Sequence, residues 1–553
     1  MSFLGLTSAF EDLQNARKSN KFIEQQKVFV GEKTYYVFKN GELSNFHAET
    51  IVERYLVNGF SFLNNFKGGF SLVIFDVHKN ILTLAKDPLG LKPLFYSIDE
   101  NSVLWSSHID HLLEESSSDL ILNSEYIERY ISIRPSATSP TIYKNIFRVE
   151  PGQAVCINLN DKKVEKYMYY KFPKNDYRYL DNEEDLINSF QTIFENSIDK
   201  NFSDIKNEKI AFSLSGGLDS NSIYSFAYNK RYLNPMNTYT YSLNFSNPDA
   251  NETSYIKESL RRYPPKESTI LEADDYWSFK DGLEVLGKYP EPFPFLNHAL
   301  AKLVPPLLEQ SNIKYIFSGH LGDHVLDTQK GFLRELLVRR RFNTFIKHYT
   351  NILGKSGIKE SFKKEYWKSL IPPNEEILWM KNKPQLKTNF VSNGYTSDSK
   401  GIENYYKAIV YQNGHEWSAP YIYGRHGVEI RYPFLNLELI EFLLNIPPYF
   451  KDNKKSNKYI LRAALKGILP EKIRTRVGKS TQGHLIIKGI QKEWSSITKF
   501  SDLEYVRNFI DVDIDTFNDR LENFYHGNIS SFSDISSIGR ALTLEAWLRE
   551  RFS

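Results

Sequence analysis

The sequence predicts an α/β chain in two parts: a strand-rich α+β unit over residues 1–175, and an α/β unit with a parallel sheet and a helical extension over 183–553. Three observations predict it. Residues 27–170 break into short β-branched and aromatic runs separated by Gly, Asn and Asp. Near residue 183 the stretch NEEDLINSFQTIFENSIDKN switches to the apolar spacing of an amphipathic helix and opens a new unit. Beyond it strands alternate with helices, and two of those strands run into glycine-rich polar loops, as in an open parallel sheet.

In the first unit, KVFVGEK, TYYVFKN, GGFSLVIFDV, ILTLAKD, VLWSSHI and QAVCINL read as strands, and AETIVERYLVNG has helical spacing. In the second, IAFSL leads into the helix NSIYSFAYNK, TYTYSLNF into NETSYIKESLRRY, and KYIFSG into a polar loop. From about 330 onward the pattern is mostly helical. The charged run KDNKKSNK at 451–458 reads as a solvated loop.

Composition narrows the function. The 553 residues are enough for two or three domains with sizeable cores, and 41% hydrophobic with 25% charged residues is ordinary for a globular protein. Lys plus Arg minus Asp plus Glu is 70 − 67 = +3, which argues against nucleic acid or an anionic membrane as the main partner. The 38 Phe and 35 Tyr are expected to fill cores rather than line a groove. A single cysteine, Cys156, leaves no internal disulfide, Cys-rich zinc site or two-cysteine redox motif. It lies in the alternating strand PGQAVCINL and reads as a small strand residue, not a nucleophile. The opening MSFLGLTSAFEDLQNARKSN has no apolar secretion core, and no stretch has the length of a membrane span, so a cytoplasmic protein is expected.

The chemistry is carried by SLSGGLDS, residues 213–220. A strand ending in glycines and hydroxyls before a helix leaves first-turn backbone N–H groups for an anion, and Asp219 can carry a cation that shares the anion's charge. The bland alternative is a tight turn with Asp219 or Ser220 as helix cap. The second loop, KYIFSGHLGDH at 314–324, repeats the pattern. Ligands of open α/β sheets gather at the strands' carboxyl ends, so Asp219 and Asp323 pair as candidate Mg²⁺ ligands although 323 − 219 = 104 positions separate them. His320 and His324 stand four apart, but the segment is glycine-broken and lacks the HExxH glutamate, which disfavours zinc. His320 is a candidate functional residue, and His324 is equally well a polar loop residue. In RTRVGKS, 474–480, Arg476 and Lys479 are alternative cations for charge developing on a reacting phosphate, against a bland role at a helix C-terminus. Glu429 and Arg431 read equally as a structural salt bridge or a pocket pair. Glu252 reads as structural.

SGGLDS resembles the pyrophosphate-binding loop of the ATP pyrophosphatase superfamily, whose members cleave ATP between its α and β phosphates. The wider chain resembles the asparagine synthetase family: FKGGFSLVIFDV, KDPLGLKPLFYS (86–97), VLWSSHIDHLL and PGQAVCINL are similar to its glutaminase domain. SGGLDS, SGHLGD, HGVEIRYPFLN (426–436), NKYILRAALKGILPEKIRTRVGK (457–479) and LTLEAWLRERF are similar, in order, to its synthetase signatures. The resemblance implies an Ntn-type glutaminase-like α+β sandwich followed by an ATP-pyrophosphatase domain. It implies ATP and Mg²⁺, an AMP-forming ligase, and a nucleotide-binding set of Ser213, Ser215, Gly216, Gly217, Leu218, Asp219, Ser220, Ser242 and Gly319. Metal would sit on Asp219 and Asp323, with His320 and either Lys479 or Arg476 as catalytic groups.

Departures from the family refine this. Where glutamine-using members begin Met-Cys, this chain begins Met1-Ser2, and a serine hydroxyl is a poor substitute for that thiol, so glutaminase activity is not expected. The family's PFLD is PFLN here, so no carboxylate role passes to Asn436. Cysteine-less branches include β-lactam synthetases and lasso peptide cyclases, in which an amine of the same molecule attacks the activated acid. The Gly-His-x-Gly-Asp loop is most similar to the lasso cyclases, which implies His320 as base, a precursor peptide substrate, and a leader peptidase or leader-binding protein as partner. A β-lactam synthetase-like or ammonia-dependent ligase on a small molecule, and a non-catalytic ATP-binding scaffold, remain as alternatives. A transfer-RNA thiolating pyrophosphatase is disfavoured by the shortage of cysteine.

Overall fold

The computed structural model describes residues 4–6, 24–41, 43, 46–99, 102–115, 120–132, 140–173, 182–205, 207–294, 296–326, 340, 342–343, 345–346, 377–381, 403, 406–407, 409–410, 417–451, 456–478, 480, 483–528 and 532–552. Two compact units emerge. The first takes Met1–Phe172 with Lys288–Pro292 and Val410–Tyr421, and the second takes Pro173–Gly287, Phe293–Ile409 and Ile422–Ser553. The linear division expected at 1–175 and 183–553 therefore runs close to Phe172, while the two downstream segments that join the first unit carry no signal in the sequence.

Ten strands are described in the first unit: β1 Leu4–Leu6, β2 Glu24–Val30, β3 Lys33–Gly41, β4 Phe70–Asp76, β5 Ile81–Lys86, β6 Phe95–Ile98, β7 Val103–Ser106, β8 Ile146–Arg148, β9 Gln153–Asn158 and β10 Val164–Met168. They form two antiparallel sheets, in the orders β1-β7-β6-β8 and β10-β9-β5-β4-β3-β2. Every residue of β4 is buried, Ser71 and Asp76 included, as in a strand covered on both faces. Alternation sends Leu72 and Ile74 to one face, beneath Ile51 and Val52 of the helix Ala48–Asn58. Val73 and Phe75 go to the other, where Tyr96 and Trp105 of the second sheet complete the core. Cys156 lies on β9 beside Thr83, and burial pushes its thiol up, away from the thiolate a nucleophile needs.

The segment Lys288–Pro292 is tied in by a buried ion pair. The Arg148 guanidinium donates to Glu291, both side chains being 3% exposed. Glu291 also accepts from the Ile142 N–H at 3.3 Å, Arg148 donates to the Pro140 carbonyl at 3.1 Å, and the Tyr143 hydroxyl donates to the Pro290 carbonyl at 2.5 Å. Removing one member of such a pair leaves an uncompensated buried charge and costs about 3–5 kcal/mol.

The second unit holds β11 Ile210–Ser213, β12 Thr238–Asn244, β13 Glu267–Glu272, β14 Tyr315–Ser318 and β15 Glu429–Arg431, all parallel, in the order β13-β12-β11-β14-β15. The helix Glu183–Phe202 leads into it, capped by Asn182, which accepts from the N–H groups of Glu184 and Asp185, with three acidic residues in its first turn. Phe202, at that helix's end, stacks on Phe317 with centroids 4.3 Å apart, and Phe212 lies 5.1 Å from Phe317, so aromatics do fill the core. In the register Ser213 stands opposite Ser318, so the chain leaves β11 and β14 side by side at the same end of the sheet. Most of 327–416 lies outside the described residues. From 417 the described chain is mainly helical, ending in the helix Phe532–Phe552. No described helix is long and apolar enough to cross a membrane.

One carboxyl in the first unit is placed to titrate. Asp87 is fully buried and accepts the backbone N–H groups of Phe70, Leu89, Leu91 and Lys92 at 2.9–3.2 Å. Burial nonetheless outweighs those donors and Lys86, and pushes it from 3.8 up to about 6. A raised carboxyl contributes stability that is complete below its unfolded value and is lost as pH rises through its folded one. The advantage of the wild type over Asp87→Asn in denaturant unfolding of the full chain is therefore expected to shrink between about pH 4 and pH 6. An advantage that grows across that window would contradict the assignment.

Candidate functional site

The strand β11 ends at Ser213, and the helix Leu218–Asn229 begins at Gly217, whose extended backbone (φ −75°, ψ 161°) supplies no side-chain cap. Neither Asp219 nor Ser220 is the N-cap, so the alternative of an ordinary capped turn does not describe this segment. The turn between is held by its own hydroxyls. The Ser215 N–H donates to Ser220 Oγ at 3.1 Å, the Gly217 N–H donates to Ser215 Oγ at 3.1 Å, and the two hydroxyls lie 2.9 Å apart. Asn221 locks the turn from below, donating to the carbonyls of Ser215 and Gly217 at 2.7 and 2.6 Å. Ser259 in turn donates to Asn221 Oδ1. A rigid turn opening onto a helix N-terminus suits an anion.

The second loop packs directly against the first. A Cβ on Gly319 would lie 2.5 Å from the Ser220 nitrogen, and one on Gly322 would lie 2.5 Å from Asp219 Cγ. Only glycine admits this approach. Asp323, in the first turn of the short helix Gly322–Leu326, then faces Asp219 across a single cation. Lys458 Nζ donates to both Asp219 oxygens at 2.6 and 2.5 Å and to Asp323 Oδ1 at 2.6 Å. Asp219 and Lys458 are largely enclosed, at 17% and 11% exposure, and Asp323 is more open at 45%. Lys458 reaches them from a left-handed backbone (φ 50°, ψ 41°) just before the helix Tyr459–Ala464, an uncommon conformation for a residue with a side chain.

This corrects the reading of KDNKKSNK as a solvated loop: Lys458 is held by two carboxylates and Lys451 is buried. Lys458 is the candidate site residue that sequence reasoning missed. Its signal is the lysine second in NKYILR, which is also the last residue of the charged run 451–458 and is hidden by it. Arg462, four positions on, is buried and donates to the Asn457 and Arg474 carbonyls. Burial pushes Arg462 down while Asp219 pulls the other way, so the guanidinium adds positive potential near the carboxylates.

His320 is exposed beside this cluster, its N–H donating to Ser318 Oγ at 3.2 Å, with the ring 5.8 Å from Tyr432 and 6.4 Å from His324. Among the described residues no three His, Cys, Asp or Glu side chains are grouped to hold a metal. Two carboxylates that already share one cation are the donor set that magnesium uses when phosphate oxygens and water complete its shell. Ser242 lies one strand over on β12, 2% exposed, its hydroxyl without a partner among the described residues.

Arg476 is not an open cation. It donates to the Gly216 carbonyl and to Glu252 Oε1 at 2.7 Å each and to Ser480 Oγ at 2.7 Å, and lies 4.3 Å over the Tyr255 ring. Lys479, its alternative, lies outside the described residues. Glu429 and Arg431 form a bridge at 3.3 Å, and Arg431 pairs further with Asp204 at 2.7 and 2.8 Å. Glu429 stands opposite Tyr315 at the start of β14 and Arg431 opposite Phe317, with the Arg431 guanidinium 4.7 Å over the Tyr315 ring. Asn436 caps the helix Leu437–Asn445 by accepting the Leu439 N–H at 3.1 Å. Asn and Asp cap equally well, so this exchange preserves the fold.

The family described as Asparagine synthase matches residues 192–549, and that described as Glutamine amidotransferase domain matches 35–170. Among curated proteins the chain is similar to asparagine synthetase (glutamine-hydrolyzing) 1 of Bacillus subtilis, at 22% identity over 530 residues, 85% of this chain and 79% of that protein. It is also similar to putative asparagine synthetase (glutamine-hydrolyzing) 2 of Methanocaldococcus jannaschii, at 25% identity over 303 residues, 52% of this chain and 56% of that protein. Amidase chry2 of Gibberella zeae is 21% identical over 509 residues, 80% of this chain and 73% of that protein.

The close approach of the loops yields an expectation independent of the substrate. Gly322→Ala places a methyl against Asp219 and is expected to weaken ATP binding by at least about 10-fold in calorimetry while leaving the far-UV spectrum unchanged. Unaltered binding would show that the contact between the loops is incidental.

Proposed function

We propose, from the premise that this chain belongs to the asparagine synthase family, that it is a lactam-forming ligase. It activates a side-chain carboxylate of a precursor peptide with ATP and joins it to an amine of the same peptide, as a lasso peptide cyclase does. Members of the family are ATP-dependent carbon–nitrogen ligases that release AMP. The observation that carries the reading is the convergence of Asp219 and Asp323 on one cation beside a turn built for an anion.

In the first step a carboxylate oxygen of the substrate attacks the α-phosphorus of ATP. The bond from that phosphorus to the bridging oxygen breaks, and pyrophosphate leaves with the bond's electron pair. The hydroxyls of Ser215 and Ser220 and the first-turn N–H groups at Leu218, Asp219 and Ser220 hold the departing pyrophosphate, and Gly217 shapes the turn through its bond to Ser215 Oγ. Magnesium, bound by Asp219 and Asp323, would offset the charge of the phosphates. Lys458, which the same two carboxylates hold, would supply a cation beside those phosphates. In the second step the amine attacks the acyl carbon, the acyl–oxygen bond to AMP breaks, and His320 accepts the amine proton, a transfer suited to an imidazole near neutral pH. Holding both groups in one folded peptide makes ring closure unimolecular, which is worth several kcal/mol. A protease that removes a leader and frees the amine is the partner this chemistry requires.

A second reading, amide formation on a small molecule with free ammonia, is favoured by the likeness to proteins named asparagine synthetases. Pyrophosphate release by the full chain with ATP and magnesium separates the two. Release stimulated by a lasso-type core peptide, and not by aspartate with ammonium, is expected, whereas the reverse would replace the first reading by the second. Nucleotide binding with no release for any acid would reduce the chain to a scaffold. Asp219→Asn is expected to lower the rate by about 100-fold or more. His320→Ala is expected to form adenylate and no lactam, and normal ring closure in that variant would remove the base assignment.

A further inference from the structure

The contacts around Gly216 assign a role to two residues outside the phosphate-binding turn itself. Glu252 Oε2 accepts the Gly216 N–H at 2.9 Å, and Arg476 Nη1 donates to the carbonyl of the same residue at 2.7 Å. Both polar groups of one loop residue are therefore held by side chains from distant parts of the sequence, 36 and 260 positions away. Glu252 and Arg476 close the ring with their own 2.7 Å bond, and both are largely enclosed, at 15% and 10% exposure. The fit leaves no slack: a Cβ on Gly216 would lie 2.8 Å from Glu252 Cβ and 2.9 Å from Tyr255 Cβ. Arg476 is fixed from its far side by Ser480 and by the Tyr255 ring.

We infer that Glu252 and Arg476 are a charge-neutral clamp, a positioning pair that sets the height of the Gly216 peptide and so the shape of the pyrophosphate cradle. The inference rests on the ligase reading for the identity of the anion. A carboxylate is an ideal acceptor for a loop N–H but would repel an incoming polyphosphate; the guanidinium cancels that charge while its fork reaches the carbonyl, which a lysine could not do from the same point. Arg476 thereby acts through the loop and is not the cation on the reacting acyl phosphate.

A double-mutant cycle tests this in the full chain, with ATP binding by calorimetry as a readout that needs no carboxylate substrate, and KM for ATP and kcat where turnover is available. Arg476→Met strands the Glu252 charge against the loop and is expected to weaken ATP binding and raise its KM by at least about 10-fold, with kcat within about 3-fold. Adding Glu252→Gln, which still accepts the Gly216 N–H but carries no charge, is expected to recover most of that loss. Inhibition by inorganic pyrophosphate should weaken and recover in parallel. A double variant as weak as the single one, or melting-temperature losses with ATP binding untouched, would make the pair purely structural and overturn the inference. A kcat loss of 100-fold or more at unchanged KM, not relieved by Glu252→Gln, would put Arg476 on the reacting group and overturn it as well. Absence of turnover in the wild type would defeat the ligase reading alone, since the binding cycle would still report on the clamp.

Discussion

Two carboxylates of like charge repel, and they stay within reach of one point only if something positive occupies it. At the carboxyl end of the parallel sheet, that something is the Lys458 ammonium, held by Asp219 and Asp323 together. The rest of the second unit is arranged around this meeting. The register that sets Ser213 level with Ser318 brings the loops out side by side, and Gly319 and Gly322 let them touch. The left-handed turn at Lys458 aims its chain between them. Strain in a backbone persists where surrounding contacts over-determine it, and three charge-assisted bonds do so here.

The same cation explains why the arrangement is coherent before any ligand arrives. An uncompensated pair of aspartates at this spacing would raise each other's affinity for protons and spread apart. With the Lys458 ammonium between them the two carboxylates are held on one point. The turn shows the same economy: its N–H groups and hydroxyls bond to one another and to Glu252, which keeps the loop shaped while the helix end behind it stays uncapped.

Much of this was legible from residue type and order. Glycines flanking a carboxylate at the end of an apolar run point to a ligand loop, because few other demands call for that mixture, and both loops were found this way. Long strands and helices with a clear period were found too, among them β4 and the helix Glu183–Phe202. What was hidden has physical causes. β13, ESTILE, is an edge strand with charged ends and no fully buried residue, and β15 is only three residues long, so neither has a pattern to read. Lys458 was masked by neighbouring lysines, since local charge density says nothing about which single ammonium turns inward. The partners of Arg476 lie 224 and 260 positions away, and no local rule reports a contact at that range. The Glu429–Arg431 pair could be read either as a structural bridge or as a pocket pair, because its further partner, Asp204, lies just past the end of the helix Glu183–Phe202.

The ion pair between Arg148 and Glu291 bears on how such a chain can change over time. A guanidinium enclosed by the strands of the first unit receives its counter-charge from a short stretch encoded more than a hundred codons downstream, inside the other half of the gene. A lineage could not simply delete the first 170 residues, because Glu291 and the segment around it would be left without the strands that shelter them. Domain loss would need compensating changes in the half that remains, so the buried pair ties the two stretches of sequence together whatever chemistry the first unit performs.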